Sequence, residues 1–218
     1  MKIINFANQD SLLGEYLREM RDVNTQNNRL VFRNNIHRIG EIMAYEISKT
    51  LQYKPVDTTT CLGVAHESAI ADDVVLATVL RAGLPFHEGF LSFFDKAENA
   101  FVSAYRQYKP GSDEFEIKIE YIASPSIEGK VLLLVDPMLA TGSSMELAYK
   151  ALLTKGTPKH VHVASIIASQ QAVDFVQAHF PDADTTLWVG AIDAELNAHS
   201  YIVPGLGDAG DLAYGVKE

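Results

Sequence analysis

Val131-Leu-Leu-Leu-Val135-Asp136-Pro137-Met138-Leu139-Ala140-Thr141-Gly142-Ser143-Ser144 says more about architecture than any other part of the chain. Five consecutive apolar residues are too few to span a membrane and suit a short strand buried on both faces. The run ends in one carboxylate. A turn of small and hydroxyl residues follows, and a helical pattern begins at Met145. The reading is a buried strand, a loop and a helix N-terminus, with an acid at the strand's carboxyl end. Turn N–H groups and the helix dipole both favour an anion, so phosphate is the natural guest. Asp136 cannot serve a phosphate, but it can accept hydrogen bonds from hydroxyls. Together the two halves of the motif imply a sugar phosphate. An ordinary turn in which Thr141 and Ser144 cap a helix also fits the pattern. Against it stands Asp136 itself, a charge directly after an apolar strand, where desolvation is costly unless something polar meets it.

Working outward, Val74–Leu80, Ala100–Tyr105, Val161–Ala168 and Thr185–Val189 are further short β-rich runs. Helical segments at Phe86–Phe94, Met145–Thr154 and Gln170–His179 alternate with them. The alternation predicts an α/β fold, a mainly parallel sheet covered by helices, with ligands beyond the strands' carboxyl ends. Towards the N-terminus, Leu13, Tyr16, Leu17 and Met20 share a helical face behind a Ser11 N-cap. Ile36, Ile39, Met43 and Ile47 mark a longer helix ending before Lys54-Pro55. These helices precede any strong strand and are expected to flank the core or build a subunit contact. Residues 106–128 read as a polar excursion, with a turn at Tyr108-Lys-Pro-Gly-Ser-Asp and a hairpin arm over Phe115–Ile122. Such an excursion is either a flap over a site or a surface hairpin.

The bulk numbers narrow the function classes. The chain has 218 residues, enough for one well-buried domain, and is 47% hydrophobic and 21% charged. A formal charge of −10 argues against nucleic-acid or anionic-membrane partners, which need a basic footprint. An anionic substrate must then be held by local cations and backbone dipoles. Cys61, the only cysteine, excludes an internal disulfide, and among threonines it reads as a small packing residue rather than a nucleophile. Met1-Lys-Ile-Ile-Asn-Phe lacks the length of a signal-peptide core, and a cytoplasmic location is expected.

Two more segments carry chemistry. Leu80-Arg81-Ala82-Gly83-Leu84-Pro85 puts an arginine at a strand end in the suspected crevice, where its fork suits phosphate oxygens; a surface ion pair is the bland alternative. Tyr201-Ile202-Val-Pro204-Gly205-Leu-Gly207-Asp208-Ala209-Gly210-Asp211 is too rich in glycine for a regular element. Hydrophobic residues on both sides argue for an ordered loop rather than a frayed tail. Such a backbone can approach a flat ligand and read it with peptide groups. His160 and His162 would share a strand face, but no third ligand is evident, and a metal there is not expected.

In these three segments, which lie in the family's order along the chain, this sequence resembles the uracil phosphoribosyltransferase family of type I phosphoribosyltransferases. Asp-Pro-Met-Leu-Ala-Thr-Gly resembles that family's phosphoribosyl-pyrophosphate (PRPP) motif, in which Pro137 stands where most of the superfamily has a second acid. Leu-Arg-Ala-Gly-Leu resembles its pyrophosphate loop, often with a non-proline cis peptide, and Tyr105-Arg106 its second PRPP arginine. The C-terminal loop resembles the hood that recognises uracil. One position departs: Ser143 stands where glycine is usual, and its Cβ would restrict a positive φ. The resemblance implies a single phosphoribosyltransferase domain over 1–218. Its parts would be N-terminal helices in 1–55, a core sheet in 74–190, a flexible flap in 106–128 and a hood in 192–218. It further implies PRPP contacts from Arg81, Arg106, Asp136, Pro137, Met138, Leu139, Ala140, Thr141, Gly142, Ser143, Ser144 and Asp208. Uracil would be met by Ile202, Gly207, Asp208 and Ala209. Mg²⁺ would be held mainly through PRPP, and the chain would form a dimer or larger homo-oligomer. No general base is implied; Arg81, Arg106 and Asp208 would contribute electrostatically. The rivals are a transferase for another base, an RNA-binding regulator, which the acidic charge disfavours, and an inactive PRPP-binding scaffold.

Overall fold

The short apolar runs pair into one sheet. The computed structural model describes residues 1–108 and 115–216, with the backbone alone for 104–108 and 115–119. In chain order its elements are β1 (Lys2–Asn5), α1 (Leu12–Arg21), α2 (Arg29–Ser48), β2 (Tyr53–Thr59), β3 (Val64–Ile70), β4 (Val74–Leu80), α3 (Gly83–Leu91), β5 (Glu98–Tyr108), β6 (Phe115–Ala123), β7 (Val131–Val135), β8 (Met138–Leu139), α4 (Ser143–Leu152), β9 (His160–Ser169), α5 (Gln170–His179), β10 (Thr185–Asp193), β11 (Glu195–Leu196), β12 (Ile202–Val203) and α6 (Ala209–Tyr214). The main sheet runs β1-β10-β9-β7-β4-β5-β6, with β8 continuing alongside β9. All pairings are parallel except that of β6 with β5.

β7 explains its own composition. Leu133 and Val135 point to one face, packing with Ile36, Ile39, Met43, Phe86 and Phe90 from α2 and α3. Leu132 and Leu134 point to the other, with Met145, Ala148 and Leu152 of α4 and Val173 and Val176 of α5. Strand side chains alternate between faces, so a strand covered on both sides has to be apolar at every position. Each such fully buried side chain contributes roughly 1.5–3 kcal/mol.

Several expectations change. The sheet begins before the helices, because β1 pairs with β10 through Lys2–Asn5, a strand too short to stand out by periodicity. Residues 53–70, left without an element, form the two-stranded hairpin β2–β3, and Pro55 lies inside β2 rather than marking a boundary. A two-stranded ribbon has only edges, where proline is tolerated. Cys61 lies in the turn of that hairpin and is exposed, so it is not a packing residue. Ser11 occupies the N-cap of α1 with extended backbone, but its side chain makes no capping bond. α3 starts three residues earlier than predicted. The arm at Phe115–Ile122 is β6, whose Ala123 and Ile122 pair with Phe101 and Val102 and close the edge of the core sheet. The turn expected within 108–113 falls, from residue 109 on, outside the described residues.

Candidate active site

β4 and β7 are neighbours, with Thr78 opposite Val135 and its hydroxyl donating to the Val135 carbonyl at 3.2 Å. From β4 the chain continues to β5 on one side, while β7 lies on the other. That reversal is a topological switch point, where open α/β sheets leave a crevice at their carboxyl ends. Arg81 and Asp136 stand on its two lips, each just past a strand end.

The turn after Asp136 is laid along β9. Asp136 N–H donates to Ala164 O at 3.1 Å, and Pro137 O accepts from Ile166 and Ile167 N–H, both at 3.1 Å. Met138 and Leu139 pair with Ile167 and Ala168, and Ser169 Oγ donates to Ala140 O. The chain then enters α4 through Gly142, at φ 84°. A Cβ there would lie 2.6 Å from Phe175 Cδ1, so glycine is needed for both backbone and space. Ser143 is the first residue of α4 and has no positive φ, which removes the constraint expected at that position. Thr141 Oγ1 accepts from Ser143 N–H at 3.4 Å. The N–H groups of Ser144 and Met145 precede the first intrahelical bond, from Glu146 N–H to Gly142 O at 3.0 Å, and such helix-start groups suit an anion.

Asp136 is half-buried, and protein atoms crowd its carboxyl. Burial pushes its pKa up to about 7, opposed by the Met138 N–H at 3.4 Å. Desolvation here is the dominant influence, and donors from a ligand would reverse it.

Arg81 follows a cis peptide from Leu80, as the resemblance implied. It is exposed, and its Nη2 donates to Asp211 Oδ1 at 3.0 Å, tying the β4 loop to α6. Asp208 caps α6 by accepting from Asp211 N–H at 3.0 Å. Ile202 and Ala209 are buried, so they have mainly backbone to offer a ligand, while Gly207 is exposed at φ 93°. The structure therefore brings Arg81, the 136–144 turn and the 202–211 loop to one end of the sheet. Arg106 is placed by its backbone on β5, opposite Ile117; its side chain lies outside the described residues.

Three residues were missed. Asp211 holds Arg81, and Asp193 and Arg21 grip the hood. Asp193 had a legible signal, since it ends an apolar strand as Asp136 follows one. His160 and His162 belong to the opposite end of the sheet. His162 Nδ1 accepts from Trp188 Nε1 at 3.1 Å, and His160 Nε2 meets Thr186 Oγ1 at 3.1 Å. Burial, aided by His160, pushes His162 down to about 3, so it is a neutral packing residue.

A mostly parallel sheet of this kind, flanked by helices and opening at its carboxyl end onto the 136–144 turn, is that of the type I phosphoribosyltransferases. The family model for uracil phosphoribosyltransferase matches residues 7–216, and the chain belongs to that family. It is 64% identical over 217 residues to a uracil phosphoribosyltransferase of Porphyromonas gingivalis, covering 100% of both chains. With that of Methanothermobacter thermautotrophicus it shares 41% identity over 186 residues, covering 84% of this chain and 83% of the relative. The solved structure of the AQ2163 protein from Aquifex aeolicus superposes with a TM-score of 0.87 at 28% identity, covering 99% of both chains.

Proposed function

We propose that the crevice between the ends of β4 and β7 holds PRPP and uracil side by side. As a member of its family the enzyme transfers the phosphoribosyl group of PRPP to uracil, giving UMP and pyrophosphate in pyrimidine salvage. In this reading Arg81 and Arg106 take the pyrophosphate, and Asp136 takes the ribose hydroxyls. The Ala140–Ser144 turn at the start of α4 takes the 5′-phosphate, with Pro137, Met138 and Leu139 also against PRPP. Ile202, Gly207, Asp208 and Ala209 meet uracil through peptide groups, with Asp208 also on the PRPP side. One observation carries the assignment: Arg81 and the Asp136 turn lie on adjacent strand ends, and Asp211 joins Arg81 to the hood.

The reaction forms a bond from uracil N1 to the anomeric carbon as the bond to pyrophosphate breaks, and N1 gives up its proton. Positive charge grows on the ribose ring while negative charge collects on the leaving group. Positioning and charge stabilisation therefore supply most of the acceleration. Asp136 holds the ribose and faces its growing charge. The hood sets the N1 direction, and the 106–128 segment, apart from Ile122 and Ala123 in the core sheet and the buried Ile127, would act as a flap that keeps water from PRPP.

Phosphoribosyltransferases in general use a divalent metal, and we take it to be Mg²⁺. Among the described residues no three His, Cys, Asp or Glu side chains gather to hold an ion. An ion carried on phosphate oxygens needs few protein ligands, since Mg²⁺ usually keeps several waters in such sites. Bound there, it would neutralise charge on the pyrophosphate, with Asp208 on the same side.

The reading also includes a homo-oligomer and a cytoplasmic location. For the former, hairpin β2–β3 has no core face of its own, and Tyr53, Leu62, Val64 and Ile70 are exposed on it. A lone hairpin is marginal in water, so a second copy is its natural cover. None of the described helices is long and apolar enough to cross a membrane.

The test is turnover with PRPP, Mg²⁺ and a panel of uracil, cytosine and hypoxanthine. UMP should form, and uracil should be preferred by several orders of magnitude, because a hydrogen-bonding site rejects mispaired analogues by roughly 10⁴-fold. A preferred purine, or no UMP over a wide range of protein and magnesium, would overturn the reading.

A further inference from the structure

The hood is gripped from outside the crevice. Arg21, the last residue of α1, forks onto Asp193 at the end of β10, with Nη1 and Nη2 each 2.8 Å from a carboxylate oxygen. The same Nη1 donates to Gly205 O at 2.9 Å, and Asp193 Oδ2 accepts from Gly205 N–H at 3.0 Å. Both peptide groups of Gly205 are thus held by one ion pair. Asp193 is 8% exposed and Arg21 23%, so water competes little for these bonds.

Gly205 is itself fully determined. It follows the cis Val203–Pro204 bond, has φ 57°, and a Cβ on it would meet Ile202 O at 2.1 Å. The residues assigned to the base, 202 and 207–209, lie within four positions on either side. One further contact to the C-terminal segment comes from α2, where Arg33 Nη1 donates to Ala213 O at 2.7 Å; Gln26 Nε2 donates to Arg21 O at 3.0 Å and braces the backbone of Arg21 itself. Neither Arg21 nor Asp193 is among the residues assigned to substrate.

We propose that the Arg21–Asp193 pair is a positioning device for base selection, which sets the register of the peptide groups that read uracil. This rests on the hood being the base site. Peptide groups discriminate between a carbonyl and an amino group only if their donors and acceptors are held in place. A loop free to shift by a fraction of an ångström can re-pair with the wrong base, and discrimination then falls.

Steady-state kinetics on Arg21→Gln, Arg21→Lys and Asp193→Asn test this against a wild type first shown to make UMP. Arg21→Gln should raise the uracil KM about tenfold or more and leave the PRPP KM within about twofold. Its uracil-to-cytosine ratio of kcat/KM should fall about tenfold or more. Arg21→Lys keeps the charge but not the fork, and should fall between wild type and Gln. Asp193→Asn keeps one acceptor for Gly205 and should show the same pattern more weakly. If Arg21→Gln does not fold, the Lys and Asn variants are read in its place. Folded variants with unchanged uracil KM and selectivity, or with both KM values raised alike, overturn the proposal. A wild type that forms no UMP overturns the reading of the hood instead.

Discussion

Asp136→Asn should lose PRPP turnover and gain stability. The carboxylate would accept hydrogen bonds from ribose hydroxyls, and such charge-assisted bonds are worth roughly 1.5–3 kcal/mol each. Asparagine keeps the size but has one oxygen and no charge, so kcat/KM for PRPP should drop about 10²-fold or more. The stability gain follows from the raised pKa. A carboxyl that titrates near 7 when folded and near its ordinary 3.8 when unfolded destabilises the folded state wherever it must be ionised there. The penalty is absent below about pH 4, grows between 4 and 7, and is fully present above 7. Water reaching the carboxyl from the crevice softens it to on the order of 2–3 kcal/mol. Thermal melting of the ligand-free proteins at pH 8 should therefore place the Asn variant roughly 5 °C higher, with the gap closing towards pH 4. A lower melting temperature at pH 8 would mean that Asp136 is paired in the free enzyme. The same titration makes PRPP use pH-dependent, since binding needs the ionised form; kcat/KM for PRPP should fall as pH drops below about 7.

The second large effect is expected at Gly142. Alanine there must take a left-handed φ of 84° and place its Cβ 2.6 Å from Phe175 Cδ1. The backbone penalty is about 1–2 kcal/mol and the overlap adds about 1–3 kcal/mol. Relief by rotation would swing the first turn of α4 away from the seat proposed for the 5′-phosphate. Gly142→Ala should thus lose both stability and most PRPP affinity. Ser143→Gly, one residue on, should change either only slightly, because Ser143 already sits in ordinary helical backbone. Equal effects at the two positions would show that the turn is not shaped by its left-handed residue. Melting curves and PRPP titrations of the two variants separate these outcomes.

Much of the site was legible because its chemistry is local. A strand, its terminal acid and the following helix start are contiguous, and so are Arg81 and the end of β4. Asp136 stood out since an acid closing an apolar run has few inexpensive explanations. Asp193 repeats that signature and was passed over, because nothing in its neighbourhood shows which cation meets it. Its partner Arg21 lies 172 positions away. Likewise Asp211 was visible as part of a glycine-rich loop, but its bond to Arg81 joins segments 130 positions apart. β1 escaped because four residues carry too little periodicity, and only pairing with β10 makes them a strand.

The sequence by itself determined the α/β class, the strand, acid and turn of 131–144, the arginine of the β4 loop and the glycine-rich C-terminal loop. Each of these is dictated by neighbouring residues: apolar runs that need burial on both faces, a turn that needs small residues, a helix start that attracts anions. Tertiary structure alone decided the strand order that brings Arg81 beside Asp136, and the placing of positive φ on Gly142 rather than Ser143. It also decided the use of α1 and α2 to hold the hood through Arg21 and Arg33. Those features depend on which distant groups meet, and hydrogen bonds and ion pairs across the sheet form only once hydrophobic burial has fixed where its layers lie.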